Sequence, residues 1–404
     1  MVIIDEVNRV AGSRHALFSY PKQEEPNIIQ LLITLCNRGS HVYRMLWEHI
    51  TSLNMEVFEH AATSPILQQA IHAALPYSIN LVYRTQHSNR TQDAHILATF
   101  PSSAALVPGC WAAAYIDRSM RPETELWIFA IGENPHHRGV QQLRSEQISF
   151  CSRCEIAVLS LLDYMSTLPV PPIHPDNLAA VELAKQHEAE YPLPPGPAGY
   201  ELSPGTYMRH LLLPKVVTFG AAHHAVVQIC RKVGILRYEF PGPGSELNKF
   251  LFRLADLPKP RELPRGLQWG QMRVQDIDLV KARTSIPRSA RTLVSLKNVG
   301  VFDETTGTPV AWSFLGLDGS LTTLHTEEAY RGKGIAKAVG VRIFQEYASG
   351  LAVDTDSDAW SHADVYAGNV QSESVCQSLG GKAMWKCFWV RLDLGKAGML
   401  AQTP

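Results

Sequence analysis

One short stretch constrains this chain more than any other: "YRGKGIAKAVG" at residues 330–340, between a β-like run and an apolar helical pattern. A helix start presents N–H groups without intrahelical partners and the positive end of the helix dipole, so it attracts anions. Gly332 and Gly334 allow the backbone to approach a bulky phosphate, and Arg331 and Lys333 add positive charge. The stretch predicts a phosphate-binding loop that joins a strand to a helix. The alternative is a flexible turn with ordinary surface cations.

The same residues exclude two familiar glycine-based phosphate motifs. A P-loop ends in Gly-Lys-Ser/Thr, whereas Gly334 is followed by Ile335. The dinucleotide fingerprint has a third glycine three residues after its second, a position that Lys337 occupies. The loop therefore fits neither of these nucleotide-binding classes.

The residues around the loop indicate the fold class. Residues 299–328 predict a three-stranded antiparallel meander, with the dipeptide Asp318-Gly319 at one of its hairpin turns. The sequence then predicts a helix, a strand, a short helix and a closing strand, at residues 330–348, 361–369, 371–379 and 383–394. A helix that carries the chain from an antiparallel sheet into a parallel strand pair is typical of a mixed α/β (α+β) domain.

The loop also matches a known pattern, Arg/Gln-x-x-Gly-x-Gly/Ala, through Arg331, Gly334 and Ala336. Here the chain resembles the GNAT acetyltransferase superfamily, in which this loop binds the pyrophosphate of acetyl-CoA. A second motif, "VYAGNVQSESVCQSLGG" at residues 365–381, looks like the fifth strand and following helix of that superfamily, with Asn369 at the usual asparagine. The resemblance implies a GNAT fold, a mixed and mostly antiparallel sheet with flanking helices.

A narrower similarity links the chain to the glycine N-acyltransferase family. "GTPVAWSFLGLDGSL" at residues 307–321 looks like that family's strand before the coenzyme A loop, and "AALPYSINLVYRT" and "ILATFPSSAALV" look like its amino-terminal domain. The similarity implies a tandem arrangement with a degenerate GNAT-like N-terminal half. That half has no coenzyme A loop of its own, because Arg138 and Gly139 are not followed by a second glycine in register.

The expected domain boundaries follow from these similarities and from shifts in composition. We expect a helical N-terminal extension at residues 1–60, a degenerate GNAT-like domain at 61–240 with a proline-rich insertion at 169–204, a linker at 241–265, and a catalytic GNAT domain at 266–404. Within the second region, the β-like run "NLVYRTQ" at residues 80–86 predicts a strand.

The resemblance implies an acyl-CoA-dependent N-acyltransferase with acetyl-CoA, or another acyl-CoA, as co-substrate. A small-molecule amine or amino acid would attack the thioester directly in a ternary complex. The alternatives are a protein or polyamine acetyltransferase and a non-catalytic acyl-CoA-binding module. The residues that the resemblance places at coenzyme A are Leu324, His325, Thr326, Arg331, Gly332, Lys333, Gly334, Ile335, Ala336, Asn369 and Ser372.

The acid–base residues depart from the family pattern. Ser320 stands where a glutamate base is usual, and Cys376 stands where a tyrosine acid is usual. Cys376 is either that acid or a small core residue. The substitute bases are Asp318, His362 and His325, and strict alternation turns His325 to the face opposite Ser320 unless a bulge reverses it. A water relay without a dedicated base is a further alternative.

Composition excludes several other classes of protein. The 37 basic and 38 acidic residues nearly cancel, which gives no reason to expect nucleic acid or an anionic membrane as partner. Scattered cysteines and the absence of a signal-like start predict a reduced, cytoplasmic protein. Cys151 and Cys154 form a lone Cys-x-x-Cys in an apolar run, and His136-His137 are adjacent, so the sequence predicts no metal site.

Overall fold

The computed structural model describes residues 55–137, 149–192, 206–237, 246–284 and 288–399. The predicted extension at 1–60 lies almost entirely outside these ranges, as do Arg138, Gly139 and residues 193–204 of the predicted insertion. Among the helices of the described ranges, none has the length and apolar character that a membrane span requires.

The strands are β1 Phe58–Glu59, β2 Ala94–Ala98, β3 Ala112–Asp117, β4 Leu126–Ala130, β5 Val216–His223, β6 Leu236–Arg237, β7 Leu247–Arg253, β8 Leu267–Gly270, β9 Asn298–Asp303, β10 Pro309–Leu315, β11 Leu321–Thr326, β12 Trp360–Tyr366 and β13 Lys382–Asp393. The helices are α1 Pro65–Ala73, α2 Ile79–Gln86, α3 Ser152–Thr167, α4 Leu178–Glu190, α5 Thr206–Arg209, α6 His224–Lys232, α7 Ile277–Ala282, α8 Ala290–Ser295, α9 Ile335–Tyr347 and α10 Val370–Ser378.

These strands form two sheets. Within the described residues, the larger sheet has nine strands in the order β1-β2-β3-β4-β5-β13-β7-β12, with β6 beside β13, and the smaller has four in the order β11-β10-β9-β8. Neighbours in the two sheets are antiparallel except β4 and β5, which are parallel. The predicted mixed, mostly antiparallel α/β architecture with flanking helices is confirmed.

The central strands of the larger sheet are buried on both faces. In β3, Ala113 and Tyr115 pack with α1 and α2 on one face, while Ala114 and Ile116 pack with α3 on the other. Both faces are therefore covered by helices, which explains why "AAAYID" and "LWIFA" are apolar along their whole length rather than alternating.

The smaller sheet separates two layers of helix. In β10, Trp312 and Phe314 pack against α7 and α8, whereas Ala311 and Leu315 pack against α9. The alternation of a strand places successive side chains on opposite faces, so one strand supplies both contacts. The helix that follows the glycine loop is thereby fixed to one face of the sheet.

Two sequence-based predictions are wrong. Residues 80–86 are not a strand but part of α2, whose buried residues include Ile79, Val82 and Tyr83. This three-to-four residue spacing packs one helical face on the sheet, and that burial overrides the β-like composition. The predicted linker at 241–265 contains β7, which pairs with both β12 and β13. Proline and glycine are concentrated on either side of a strand there, not throughout a linker.

Candidate active site

Strands β11 and β12 are joined by α9 and run parallel to each other. They meet at one bridge, between Ser320 and His362. In the described part of the chain no other pairing links them, and the sheet partner of β11 is β10. The end of β11 beyond this bridge borders an opening, which α10 lines on another side.

A β-bulge lies in β11 at the edge of that opening. Trp312 is opposite His325 and Phe314 is opposite Thr322, so two residues of β11 occupy the space of one residue on β10. Thr323, inside the bulge, has a positive φ of 55°. The extra residue reverses the alternation, so His325 lies on the same face as Thr322 and Trp312. The bulge that the sequence analysis required to turn His325 to the face of Ser320 is therefore present.

The glycine loop connects β11 to α9, and its backbone N–H groups lack partners from Gly332 onward, whereas Arg331 N–H donates to the Glu328 carbonyl at 3.1 Å. Gly332 and Gly334 have φ values of 74° and 79°, and Gly334 is the N-cap residue of the helix. Successive N–H groups in such a conformation form a concave site for anions. Within the described residues, the N–H groups from Gly332 to Lys337 have no hydrogen-bond acceptor, although Ala338 N–H donates to Gly334 at 3.1 Å. A Cβ added at Gly332 meets no atom within 4 Å, so the space beside it is open.

The unbonded N–H groups border a cleft of about 820 Å³. Its walls are the end of β11, the glycine loop, the first turn of α9 and one side of α10. Every residue that the resemblance places at coenzyme A lines this cleft except Lys333 and Asn369. Asn369 instead caps α10, where its side chain accepts a hydrogen bond from Ser372 N–H at 3.1 Å.

Two cations of the loop are oriented differently. Arg331 Nε donates to the carbonyl oxygen of Thr326 at 3.0 Å, which holds its side chain across the end of β11. Lys333 Nζ lies 5.1 Å from the centre of the Tyr330 ring. The Arg331 side chain therefore lies against the last residue of β11 and occupies the carbonyl oxygen of Thr326.

His325 is the only one of the five candidate acid–base residues in the described structure that lines this cleft. Its ring stacks on Trp312 with centroids 4.7 Å apart. Its Nε2 atom is buried without a hydrogen-bond partner among the described residues, and it lies 3.7 Å from Glu327 Oε1. Burial lowers the pKa of His325, and Glu327 only partly offsets this effect. The ring is therefore neutral at pH 7, with Nε2 buried beside Glu327.

Asp318 is buried away from the cleft and is saturated with hydrogen bonds. Its carboxylate accepts from Asn80 Nδ2 at 2.9 Å, Trp127 Nε1 at 3.2 Å and Ser320 Oγ at 2.7 Å. Burial alone would raise the pKa of Asp318, but His362, Lys249 and the hydrogen bonds from Ser320 hold it well below its usual range. Such a stabilised carboxylate is a weak base.

His362 belongs to the same buried network. Its Nε2 donates to the Asp318 carbonyl oxygen at 2.7 Å, and its Nδ1 lies 3.1 Å from Lys249 Nζ, contacts that assign the neutral tautomer with the proton on Nε2. Burial and then the Lys249 charge lower the pKa of His362. Lys249 is itself fully buried and pairs with Asp364 at 2.6 Å. Both ring nitrogens of His362 are occupied, so it fits a structural role.

The sequence reading missed Lys249 and its partner Asn80. The available signal was a single lysine within the apolar run "LNKFLFR", where an unpaired charge is costly to bury.

A second, much smaller cavity of about 20 Å³ lies on the other side of Asp318 and Ser320. Glu123 and Trp127 line it from the N-terminal half, and Arg288 lines it from the C-terminal half. Glu123 Oε2 and Arg288 Nε are buried there without hydrogen-bond partners among the described residues. The cavity thus combines opposite charges from both halves. Neither Glu123 nor Arg288 was identified from the sequence, since nothing local distinguishes them.

Cys376 does not fit the role of general acid. It packs in the hydrophobic core, is 3% exposed and does not line either cavity. Burial raises the pKa of its thiol to about 12, which makes it a poorer acid than an ordinary cysteine. The structure supports the alternative reading of Cys376 as a small core residue.

The interpretation of Cys151 and Cys154 as an isolated pair is wrong. Cys110 and His137, which are distant in the sequence, lie beside them, and the four ligand atoms are within 4.8 Å of one another. The reason is the sheet, which brings the segment before β3 and the segment after β4 to the start of α3.

Comparison with known protein families gives one match in each half of the chain. A family model described as the acyl-CoA N-acyltransferase verG N-terminal domain matches residues 54–252, and one described as FR47-like protein matches residues 298–390. These matches support the GNAT acetyltransferase superfamily. Neither model describes the glycine N-acyltransferase family. No curated protein sequence matches the chain.

Solved structures with a similar course of the chain share little sequence with it. A Drosophila protein is 10% identical, covering 83% of this chain and 98% of its own with a TM-score of 0.49. A tandem GNAT protein from the clavulanic acid biosynthesis pathway is 10% identical, covering 84% and 98% with a TM-score of 0.42. A GCN5-related N-acetyltransferase from Kribbella flavida is 11% identical, covering 79% and 94% with a TM-score of 0.36. These scores are low, so the superfamily rests on the sequence matches.

Proposed function

We propose that this GNAT-type chain is an acyl-CoA-dependent N-acyltransferase that transfers an acetyl group to the amine of a small molecule or amino acid. The observation that carries the proposal is the row of unbonded N–H groups from Gly332 to Lys337 along the mouth of the 820 Å³ cleft. A diphosphate is the ligand group that such a row at a helix start suits best. The open space beside Gly332 leaves room for it.

The chain would hold the rest of an acyl-CoA along the edge of β11. Leu324 lies in the bulge, out of register with β10, so its main-chain groups are offered to the pantetheine arm and the thioester carbonyl. The Thr326 carbonyl is already bonded to Arg331, which makes Leu324 the better main-chain contact. Acyl-CoA itself supplies the activated thioester. The chain supplies orientation and hydrogen-bond donors.

His325 is the residue best suited to accept the proton of the attacking amine. It lines the cleft, its ring is neutral at pH 7, and its buried Nε2 has no hydrogen-bond partner among the described residues, so a movement of the neighbouring side chains would expose it to an amine. Asp318 lines the smaller cavity instead of this cleft, and several donors stabilise its carboxylate, which makes it a weaker base. The overall reaction moves one proton from the amine nitrogen to the leaving sulfur, as the C–N bond forms and the C–S bond breaks. One group that accepts and then returns a proton is therefore enough.

The acceptor pocket is proposed at the small cavity between the two halves. Arg288 offers a positive charge there for an amino acid's carboxylate, and Glu123 offers a carboxylate to take the proton of its ammonium, so that the neutral amine attacks. A volume of about 20 Å³ holds roughly one water molecule, so acceptor binding requires side chains such as Trp127 to move. An enclosed site supports a small acceptor over a protein.

A non-catalytic acyl-CoA-binding module is the competing proposal. It is favoured by Ser320 in the usual place of the base and by the buried, weakly acidic Cys376. Under that proposal, acetyl-CoA binds but thiol release remains at background for every amine.

Isothermal titration with acetyl-CoA, together with thiol-release assays over a panel of amines, tests the proposed function. Gly332→Ala and Gly307→Ala form a matched pair, because both glycines have positive φ, 74° and 64°, and a Cβ meets nothing within 4 Å at either. Both variants should lose about 1–2 kcal/mol of stability. Only Gly332→Ala should weaken acetyl-CoA binding, by about tenfold or more. Equal affinity in the two variants would refute the phosphate site.

A further inference from the structure

Four metal-ligating side chains meet at the start of α3, in the N-terminal half. Cys110 Sγ lies 3.6 Å from Cys151 Sγ and 3.8 Å from His137 Nε2, and Cys154 Sγ lies 3.5 Å from the same nitrogen. All four ligand atoms fall within 4.8 Å of one another. The proposed acyltransferase reaction uses none of these residues.

The separations match a tetrahedral ion better than any direct bond. Bonds of about 2.3 Å to sulfur and about 2.0 Å to nitrogen place two sulfur ligands roughly 3.8 Å apart, and sulfur and nitrogen roughly 3.5 Å apart. The measured 3.6 Å between Cys110 and Cys151 is too long for a disulfide, whose S–S bond is about 2.05 Å. An ion at the centre would leave the four ligands close to where they are.

The secondary structure explains how distant residues converge. Cys151 is the N-cap of α3 and Cys154 lies in its first turn, so a three-residue spacing puts both on one side of the helix. Cys110 precedes β3, and His137 follows the short 3-10 helix Ile131–Glu133 after β4. Ala112 and Ala130 are direct partners in these strands. The segment before β3 and the segment after β4 therefore leave the sheet side by side, at the same end of the strands.

The surroundings are tightly packed. A Cβ added at Gly132 would lie 3.0 Å from the Phe150 ring and 3.3 Å from Cys154 Cβ. His137 N–H donates to the Asn134 carbonyl at 3.0 Å, which fixes the backbone that presents the imidazole. Cys154 is fully buried, whereas Cys151 is exposed and gives an ion access from solvent. The ligands are thus held by the fold with an entry path on one side.

We propose that Cys110, His137, Cys151 and Cys154 bind a structural Zn²⁺ ion. Three thiolates and one imidazole are a donor set that Zn²⁺ prefers, and four protein ligands leave no open position for catalysis. The ion would join the end of the β3–β4 pair to the start of α3. Binding releases the thiol protons, so affinity should fall as pH falls.

Metal analysis of the full chain under reducing conditions tests this proposal. We expect about one zinc ion per chain by elemental mass spectrometry, and visible d–d absorption of tetrahedral Co²⁺ on cobalt substitution. Cys151→Ser should weaken Zn²⁺ binding by at least about 100-fold, more than the loss of an outer-shell partner does. Cys151 is exposed, so this variant should fold even if Cys154→Ser does not.

Cys230→Ala is the control, because Cys230 is buried in α6 and lies outside the cluster. It should keep the zinc content and the cobalt spectrum of the original chain. Reduced, folded protein that takes up neither metal would overturn the proposal, and so would equal Zn²⁺ affinity in Cys151→Ser. A Cys110–Cys151 disulfide found by non-reducing peptide mapping, with no metal bound after reduction, would identify a redox pair instead.

Discussion

Each half of this protein has one helical connection between two strands that meet in parallel, with different residues at the start of its first helix. In the N-terminal half, β4 leads through α3, α4 and α5 to β5, and the two strands pair in parallel at Leu126 and Phe219. In the C-terminal half, β11 leads through α9 to β12, and the strands meet in parallel at Ser320 and His362. The two connections share the parallel meeting of their strands but differ in length, and their first helices begin with different residues.

Those residues have opposite chemistry. Helix α9 begins at a glycine with unbonded N–H groups, which suits an anion. Helix α3 begins at Cys151, beside two more thiols and an imidazole, which suits a cation. The two proposed sites therefore differ in kind, although at α3 two of the four ligands, Cys110 and His137, come from outside the helix start.

The halves are nevertheless joined through their interior. Strand β13 of the C-terminal half pairs with β5 of the N-terminal half, and β7 occupies the place between β13 and β12. Lys249 on β7 donates to Asn80 at 3.0 Å and pairs with Asp364 at 2.6 Å. Stability and ligand binding in variants of each half measure how far the two halves are separate and how far they share one core.

The largest effect is expected from Lys249→Met, which removes one partner of a fully buried ion pair. We expect a loss of about 3–5 kcal/mol in the free energy of unfolding, because Asp364 is left buried and unpaired. Urea unfolding followed by circular dichroism should keep a single transition, since the network spans both halves. Lys185→Met is the control, as Lys185 is in an exposed pair with Glu182 and should change stability by less than about 0.5 kcal/mol. A biphasic curve would mean that the halves unfold separately.

The next effect separates the two helix starts. Gly334→Val forces a β-branched residue into a φ of 79° at the N-cap of α9, and should weaken acetyl-CoA binding at least about 100-fold while leaving the zinc content unchanged. Cys154→Ser should lose the zinc and alter acetyl-CoA affinity by less than about threefold. Titration calorimetry and elemental analysis of both variants measure this. Loss of both ligands in one folded variant would show that the sites are coupled.

A smaller effect is expected from changing His325, the residue proposed to accept the proton of the amine. His325→Gln should lower kcat about 100-fold with little change in acetyl-CoA affinity. The neutral imidazole is the active form, and burial lowers its pKa. The acidic limb of kcat/KM should therefore lie below the usual histidine value near 6.5. Glu327 raises the pKa of His325, so Glu327→Gln should move that limb to still lower pH.

His95→Gln serves as the control for His325, because His95 lies on β2 and pairs with the half-exposed Glu59. Its pH–rate profile should match that of the original chain. A profile for His325→Gln with an unchanged acidic limb would remove His325 from the reaction.

The smallest effect is expected from Cys376→Ala, which contrasts a core cysteine with the clustered cysteines of the other half. The substitution removes only packing contacts of Cys376. We therefore expect kcat to stay within about twofold and the free energy of unfolding to fall by about 1 kcal/mol. Steady-state rates across pH and urea unfolding measure both. A pH-dependent loss of turnover would restore the thiol as general acid.

Much of this protein could be read from local sequence. The meander, the glycine loop and the helix after it depend on residue spacing and on backbone angles that glycine alone adopts readily, and both are properties of near neighbours. The strand predicted at residues 80–86 failed because packing against the sheet decided its conformation. The strand hidden in the predicted linker is held by partners more than 100 residues away.

The sequence by itself determined the fold class and the glycine loop for which we propose an anion, because a strand, two glycines and a helix follow one another within about thirty residues, the length of one strand–helix–strand unit. Only the tertiary structure brings the proposed acid–base residue to the cleft and the cluster of cysteines and histidine together. His325 reaches the cleft through a bulge that shows itself in the pairing with β10. Cys110 and His137 lie beside Cys151 because the register of β3 with β4 places the start of one strand next to the end of the other. Side chains far apart in the chain are brought together by pairing and packing, and no local pattern records that meeting.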